Sequence, residues 1–122
     1  MGVTESLREN GFTGGITVIS NEGYYPIDRT KLSKALLTDL SKLTWRNKDF
    51  YESGSIKFVA GEVNKVDFDE RFVTTEKGEK ISYTKLVPAT GGTAKRIPLS
   101  GFKKLDNMYT LLSCHDTSKI VN

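Results

Sequence analysis

Glu22, Arg29, Lys31 and Lys34 fall within one short stretch, Glu22-Gly-Tyr-Tyr-Pro-Ile-Asp-Arg-Thr-Lys-Leu-Ser-Lys34. A carboxylate, an arginine and two lysines are thereby set around a proline turn. A carboxylate at a strand end can hold a sugar diol. Neighbouring cations can hold phosphate oxygens, an arginine as a planar fork and a lysine as a point charge. The same residues also read as an ordinary strand, turn and helix with solvated charges. On chemistry alone both readings stand.

The elements around this stretch decide where those groups point. Ile16–Ser20 is an uninterrupted β-branched run and reads as a buried strand, with Glu22 at its C-terminal edge. That edge is the usual ligand side of an open α/β sheet. Leu32, Leu36 and Leu40 share one helical stripe and are expected in the core. Ahead of the strand, Val3 and Leu7 lie on one helical face, and Gly11 sits where a left-handed cap would end the helix. Residues 43–54 read as a loop and a short helix carrying Phe50 and Tyr51, closed by Gly54. Trp45 is expected to be packed, and Tyr24 and Tyr25 to pack under the turn. Ile56–Ala60 is a further buried strand.

From Gly61 the pattern changes. The runs 62–67, 71–75 and 80–83, separated by Asp69-Glu70 and Lys77-Gly78, predict a three-strand antiparallel meander. Leu86–Ala89 reads as the next parallel strand, ending at Thr90-Gly91, where small residues allow a ligand to approach the backbone. Pro88 departs from that pattern, because proline lacks a ladder donor. Another short strand is expected within 105–112.

Two of these segments carry a resemblance. Glu22…Pro26-Ile-Asp-Arg29-Thr-Lys-Leu-Ser-Lys34 is similar to the E…P-Y-D-R-P-x-L-S-K segment of FAD-dependent pyridine nucleotide oxidoreductases of the ferredoxin-reductase and apoptosis-inducing-factor type. Lys85-Leu-Val-Pro-Ala-Thr-Gly91 resembles the strand-ending A-T-G of the same FAD-binding domain. The two occur in the family's order, and together they are far more specific than either alone. The resemblance covers nearly all of the chain but only part of the family's length.

It implies an α/β fold, part of a doubly wound, Rossmann-like parallel sheet with the antiparallel meander as an insertion. It implies FAD contacts from Glu22, Arg29, Lys34, the backbone of Val63, and Ala89, Thr90 and Gly91. A valine serving only the core would look the same as Val63. Lys31 reads as a surface charge. The family tends to place an FAD-contacting arginine four residues before the aspartate matching Asp116, and Leu112 occupies that position here.

In a dinucleotide fold the order is strand, G-x-G-x-x-G loop, helix, second strand, acid. Helix, second strand and acid are present, but the 11 glycines include no such loop. The acid usually lies roughly 20 residues past the loop, so counting back from Glu22 puts the loop's end near residue 1. Residues 1–122 are therefore expected to be a partial FAD-binding domain lacking the first strand and glycine-rich loop. A complete domain that never had the loop is the alternative. The family's NAD-binding and C-terminal interface domains are expected to be absent from these residues.

Composition bounds the rest. A chain of 122 residues suits one domain and is small for a complete two-nucleotide enzyme. The net charge of +3 comes from interleaved signs, a weak argument for nucleic acid. The single cysteine excludes an internal disulfide and suits a reducing compartment. No apolar run approaches the ~20 residues of a membrane helix. Met1-Gly-Val-Thr-Glu carries no targeting signal, so an intracellular location, cytoplasmic or mitochondrial, is expected.

Cys114-His115-Asp116 does not read as a catalytic triad, since neighbours in sequence point apart. Metal ligands at usable spacing are missing. No residue is assigned to chemistry. The resemblance implies that NAD(P)H reduces the flavin and that an electron-acceptor protein or quinone takes the electrons. Its dithiol branch needs a cysteine pair that this chain lacks, which favours the single-electron branch. Alone, the chain is expected to hold FAD weakly or not at all and to be inactive. A non-catalytic binding domain, or a remnant of the fold, is the competing reading.

Overall fold

The computed structural model describes residues 2–96, 98–101 and 105–121; the ends of the expected 1–122 domain, Met1 and Asn122, lie outside the described residues. The chain divides into two compact units. One comprises the chain up to Pro26 together with Arg46–Pro88, the other Ile27–Trp45 together with the chain from Ala89.

The first unit opens with α1 (Gly2–Glu9), followed by β1 (Ile16–Ser20). Gly11 ends α1 at φ +80°, with its N–H donating to the Arg8 carbonyl and the Phe12 N–H to that of Leu7. This is the paired-bond cap that a left-handed glycine allows. Val3 and Leu7 lie on this helix as expected but are exposed, and Thr4 is its buried residue.

After the second unit's first segment come α4 (Lys48–Ser53) and β2 (Ile56–Ala60). The Asn47 side chain caps α4 by accepting from the Phe50 N–H. β1 and β2 pair in parallel, Ile16 opposite Ile56 through Ser20 opposite Ala60. Parallel strands require a crossover, and the intervening chain supplies it. Thr17 and Lys57, opposite each other, are exposed, so the pair is half-buried rather than buried through. A two-stranded sheet has few neighbours with which to cover both faces. Tyr25 stacks on the buried Tyr51, ring centroids 4.4 Å apart, and leans on Phe58 of β2. The aromatic packing expected under the proline turn is therefore present at Tyr25.

β3 (Val63–Asp67), β4 (Phe72–Thr75) and β5 (Lys80–Ser82) form the expected antiparallel meander, in the order β3-β4-β5. Val73 and Thr75 are its buried residues. Gly78, at φ +80°, closes the β4–β5 turn.

The second unit is built from short pieces: α2 (Thr30–Ala35), α3 (Leu40–Leu43) and α5 (Cys114–Val121). The expected Leu32–Leu36–Leu40 stripe breaks because Leu36 turns left-handed at φ 48° and ends α2. Leu32 stays buried, while Leu36 and Leu40 are exposed. An isolated bridge joins Ile27 to Thr44, and the Asp28 N–H donates to the Leu43 carbonyl. Ile27 and Leu43 fill the interior, and Trp45, expected to pack, is 53% exposed.

Two expected strands do not form. Leu86–Ala89 has no regular structure, consistent with Pro88 having no N–H to give a ladder, and residues 105–112 form turns and irregular backbone. Among the described residues no helix is long and apolar enough to cross a membrane.

Candidate functional site

Glu22 lies just past the C-terminal end of β1, half-buried, with its N–H donating to the Ser20 hydroxyl at 3.3 Å. Gly23 follows at φ +75°, a backbone that a β-carbon would strain. Beside it β2 ends at Ala60, and the Gly61 N–H donates to the Ser20 carbonyl at 2.9 Å, closing the parallel pair. An open depression of ≈ 280 Å³ forms at this sheet end, lined by Asn21, Gly23, Ala60–Glu62, Glu76 and Lys77.

The chain then enters β3 through a reciprocal backbone arrangement. The Glu76 N–H donates to the Glu62 carbonyl at 2.8 Å, and the Glu62 N–H donates to the Glu76 carboxylate. With the first of these bonds in place, Val63 and Thr75 form a non-hydrogen-bonded antiparallel pair. The N–H and C=O of Val63 therefore point away from β4. β3 is an edge strand among the described residues, so these two groups face the open side of the sheet. An N–H beside a C=O complements the N1 and amino group of an adenine edge, and the Glu22 carboxylate can accept from sugar hydroxyls. The donor set at this sheet end fits an adenosine. With Glu22, Glu62 and Glu76 close by, it does not suit a phosphate.

The remaining expected residues belong to the second unit. Arg29 is exposed, and its guanidinium donates to the Leu112 carbonyl. Lys34 is exposed on the last turn of α2. Lys31, expected as a surface charge, is half-buried with its ammonium donating to the Lys42 carbonyl at 3.0 Å. Ala89, Thr90 and Gly91 are exposed, with Gly91 at φ +69°. Glu22 and the Gly61–Val63 segment thus share one sheet end in the first unit. Arg29, Lys34 and Ala89–Gly91 lie in the second.

At Cys114-His115-Asp116 the three side chains have separate surroundings: Cys114 is buried, His115 exposed, and Asp116 caps α5. The Asp116 carboxylate accepts from the N–H groups of Leu112 and Ser113 at 3.0 and 2.9 Å and from the Ser113 hydroxyl. Burial pushes this carboxyl up, but those hydrogen bonds and Lys119 outweigh it and hold it below the ordinary value. Among the described residues no group of three acidic, histidine or cysteine side chains is placed to hold a metal.

Sequence reasoning missed two residues. Glu76 reaches back to Glu62 across a separation of 14 residues that no local pattern marks. Arg8 donates to the carbonyls of Phe12, Gly14 and Gly54, and a basic residue in the last turn of a glycine-capped helix was the available signal.

Comparison with known proteins places these features in context. The family model described as pyridine nucleotide-disulphide oxidoreductase matches residues 1–122. Apoptosis-inducing factor 3 of Homo sapiens is 32% identical over 118 residues, covering 96% of this chain and 19% of that protein. Rubredoxin-NAD(+) reductase of Pseudomonas putida is 31% identical over 118 residues, covering 93% and 30%. Among solved structures, the ferredoxin reductase for the CYP199A2 system of Rhodopseudomonas palustris superposes with a TM-score of 0.87 at 27% identity, over 95% of this chain and 29% of that one. The reductase of the covalent putidaredoxin reductase–putidaredoxin complex gives 0.84 at 28%, over 98% and 30%. The chain thus spans less than a third of the length of each protein named.

Proposed function

The chain belongs to the pyridine nucleotide-disulphide oxidoreductase family, and from that premise we propose that it is the FAD-binding segment of an NAD(P)H-dependent flavoprotein reductase that passes electrons to a redox protein or quinone. The observation that carries this reading is that Glu22, just past β1, and the Gly61–Val63 segment, just past β2, stand at the same carboxyl end of the parallel strand pair.

On this reading Glu22 accepts from the ribose hydroxyls, and the Val63 N–H and C=O meet the adenine. Arg29 and Lys34 meet anionic oxygens. Ala89, Thr90 and Gly91 leave room for the cofactor to approach the backbone. When bound, the flavin supplies hydride acceptance from the nicotinamide and release of electrons one at a time. The protein's share is to bind, orient and set the charge around it. Rubredoxin, ferredoxin and putidaredoxin, in the names of similar reductases, indicate the class of acceptor. Cys114 is the only cysteine, so these residues offer no dithiol for an alternative route. The nicotinamide-binding and interface domains are separate from these residues.

Leu112 favours a second reading, a non-catalytic binding domain or a remnant of the fold, because it removes a positive charge that the family resemblance leads one to expect there. Flavin absorbance separates the two. A version extended upstream of Met1 is expected to retain FAD after gel filtration, and the 122-residue chain to hold it weakly or not at all. A colourless extended protein would overturn the reductase reading. Stoichiometric, tight FAD on the short chain would overturn the expectation that a diphosphate-binding loop upstream is needed.

A further inference from the structure

Glu76 stands outside every residue pattern that led to the site, yet both backbone groups of Glu62 end on it. Its N–H donates to the Glu62 carbonyl, and its carboxylate accepts from the Glu62 N–H. The same carboxylate lies over Gly61: a β-carbon there would sit 3.4 Å from its nearer oxygen. Between β2 and β3 the chain therefore has its peptide groups fixed on both sides, by Ser20 at Gly61 and by Glu76 at Glu62. A register shift between Val63 and Lys65 follows immediately, so the ladder itself does little to hold Val63 in place.

We infer that Glu76 is a positioning residue for recognition of an adenine base: it holds the Gly61–Glu62 bend so that the N–H and C=O of Val63 keep a fixed outward direction. This rests on the reading of the sheet end as an adenosine site, which assigns the base to the backbone of Val63 and says nothing of what orients that backbone. The consequence is specificity. Adenine presents an acceptor at N1 and a donor at its amino group, whereas hypoxanthine presents a donor and an acceptor in the same places. A rigid N–H beside C=O accepts the first and rejects the second. A loosened strand can rotate its peptides and lose the distinction.

The test titrates AMP and IMP into the 122-residue chain by backbone amide NMR, which reads millimolar binding and reports folding in the same spectrum. The native chain is expected to prefer AMP by roughly tenfold, about the size of one or two neutral hydrogen bonds. Glu76→Ala is expected to bring the two nucleotides to within about twofold, whereas Glu76→Gln, whose side-chain oxygen still accepts from the Glu62 N–H, keeps the preference. Glu22→Gln is expected to weaken both nucleotides equally and leave their ratio unchanged. A folded Glu76→Ala chain that still prefers AMP would overturn the inference while sparing the adenosine site. So would Glu76→Gln losing the preference. A native chain that binds neither nucleotide at the Gly61–Val63 amides would overturn the site reading and the inference together.

Discussion

The guanidinium of Arg29 donates to the carbonyl oxygen of Leu112, 83 residues further along the chain, and the N–H of that same Leu112 is held by the carboxylate of Asp116. The main chain of one residue is thus held by a cation at its C=O and by an anion at its N–H. Within the second unit this joins the entry of α2 to the entry of α5. The resemblance leads one to expect an arginine side chain at position 112; here an arginine from position 29 engages the backbone instead.

Removing that cation should cost stability whether or not a ligand is present. Arg29→Ala is expected to destabilise the second unit by about 1 kcal/mol, the scale of a charge-assisted bond at an exposed site. Arg29→Lys should recover only part of it, because a single ammonium does not reproduce the fork. Leu112→Ala should be close to neutral, since the bond uses main-chain atoms and Leu112 is exposed. Thermal unfolding of the three variants checks the order.

Acid should loosen the second unit first. Hydrogen bonds from Thr30, from Ser41 and from Leu112 with Ser113 hold the carboxyls of Asp28, Asp39 and Asp116 below the ordinary value of 3.8. For Asp28 and Asp39 the serine or threonine hydroxyl is the largest influence; for Asp116 burial opposes the shift and the hydrogen bonds win. A carboxyl depressed in the folded state stabilises the fold at pH above its unfolded value and loses that contribution as pH falls through the folded one. Stability is therefore expected to decline below about pH 4, earliest at the amides of α2, α3 and α5. Asp116→Asn should flatten that decline in α5. Amide hydrogen exchange against pH provides the measurement, and first loss in β1 or β2 would contradict it.

Glu22 should separate binding from stability. It is half-buried just past the end of β1, and glutamine keeps its size and shape, so Glu22→Gln is expected to leave the unfolding midpoint nearly unchanged. Loss of an ionised acceptor facing hydroxyls should weaken retention of FAD in an upstream-extended protein by roughly tenfold to a hundredfold. Flavin fluorescence during dilution reads this directly. Unchanged retention would remove Glu22 from the site.

Periodicity made some of this fold legible and hid the rest. β1, β2 and the meander were readable because β-branched runs and the Lys77-Gly78 turn leave strong local marks. Glu22 was readable because a strand's end can be located from its apolar run. The second unit was not, because its helices span six, four and eight residues and are set by Asp28, Asp39 and Asp116 capping neighbouring N–H groups. A Leu32–Leu36–Leu40 stripe assumes a continuous helix, and the left-handed Leu36 ends it. Leu86–Ala89 looked like a strand by composition, but Pro88 offers no ladder donor. Glu76 and Glu62 meet through the meander's fold, a relation that neither helical nor strand spacing encodes.

Arg8 gives the sharpest test of how the first unit is held together. Both α1 and α4 end in a glycine, Gly11 and Gly54, and helix ends leave carbonyls without intrahelical partners. Arg8 serves the end of α4 by donating to the Gly54 carbonyl at 2.7 Å, and it also donates to the loop carbonyls of Phe12 at 2.6 Å and Gly14 at 2.9 Å. Its positive charge also lies at the negative end of both helix dipoles. The Glu5–Arg46 ion pair, 2.7 Å apart but partly exposed, is a weaker link between α1 and the α4 segment than the Arg8 contacts. Arg8→Ala should therefore cost about 2 kcal/mol, against less than about 1 kcal/mol for Glu5→Ala. Arg8→Lys should recover little, because one ammonium cannot span three carbonyls on two segments. Denaturant unfolding of the three variants would show the order, and equal losses for Arg8→Ala and Glu5→Ala would mean that the ion pair, rather than the guanidinium, docks α1.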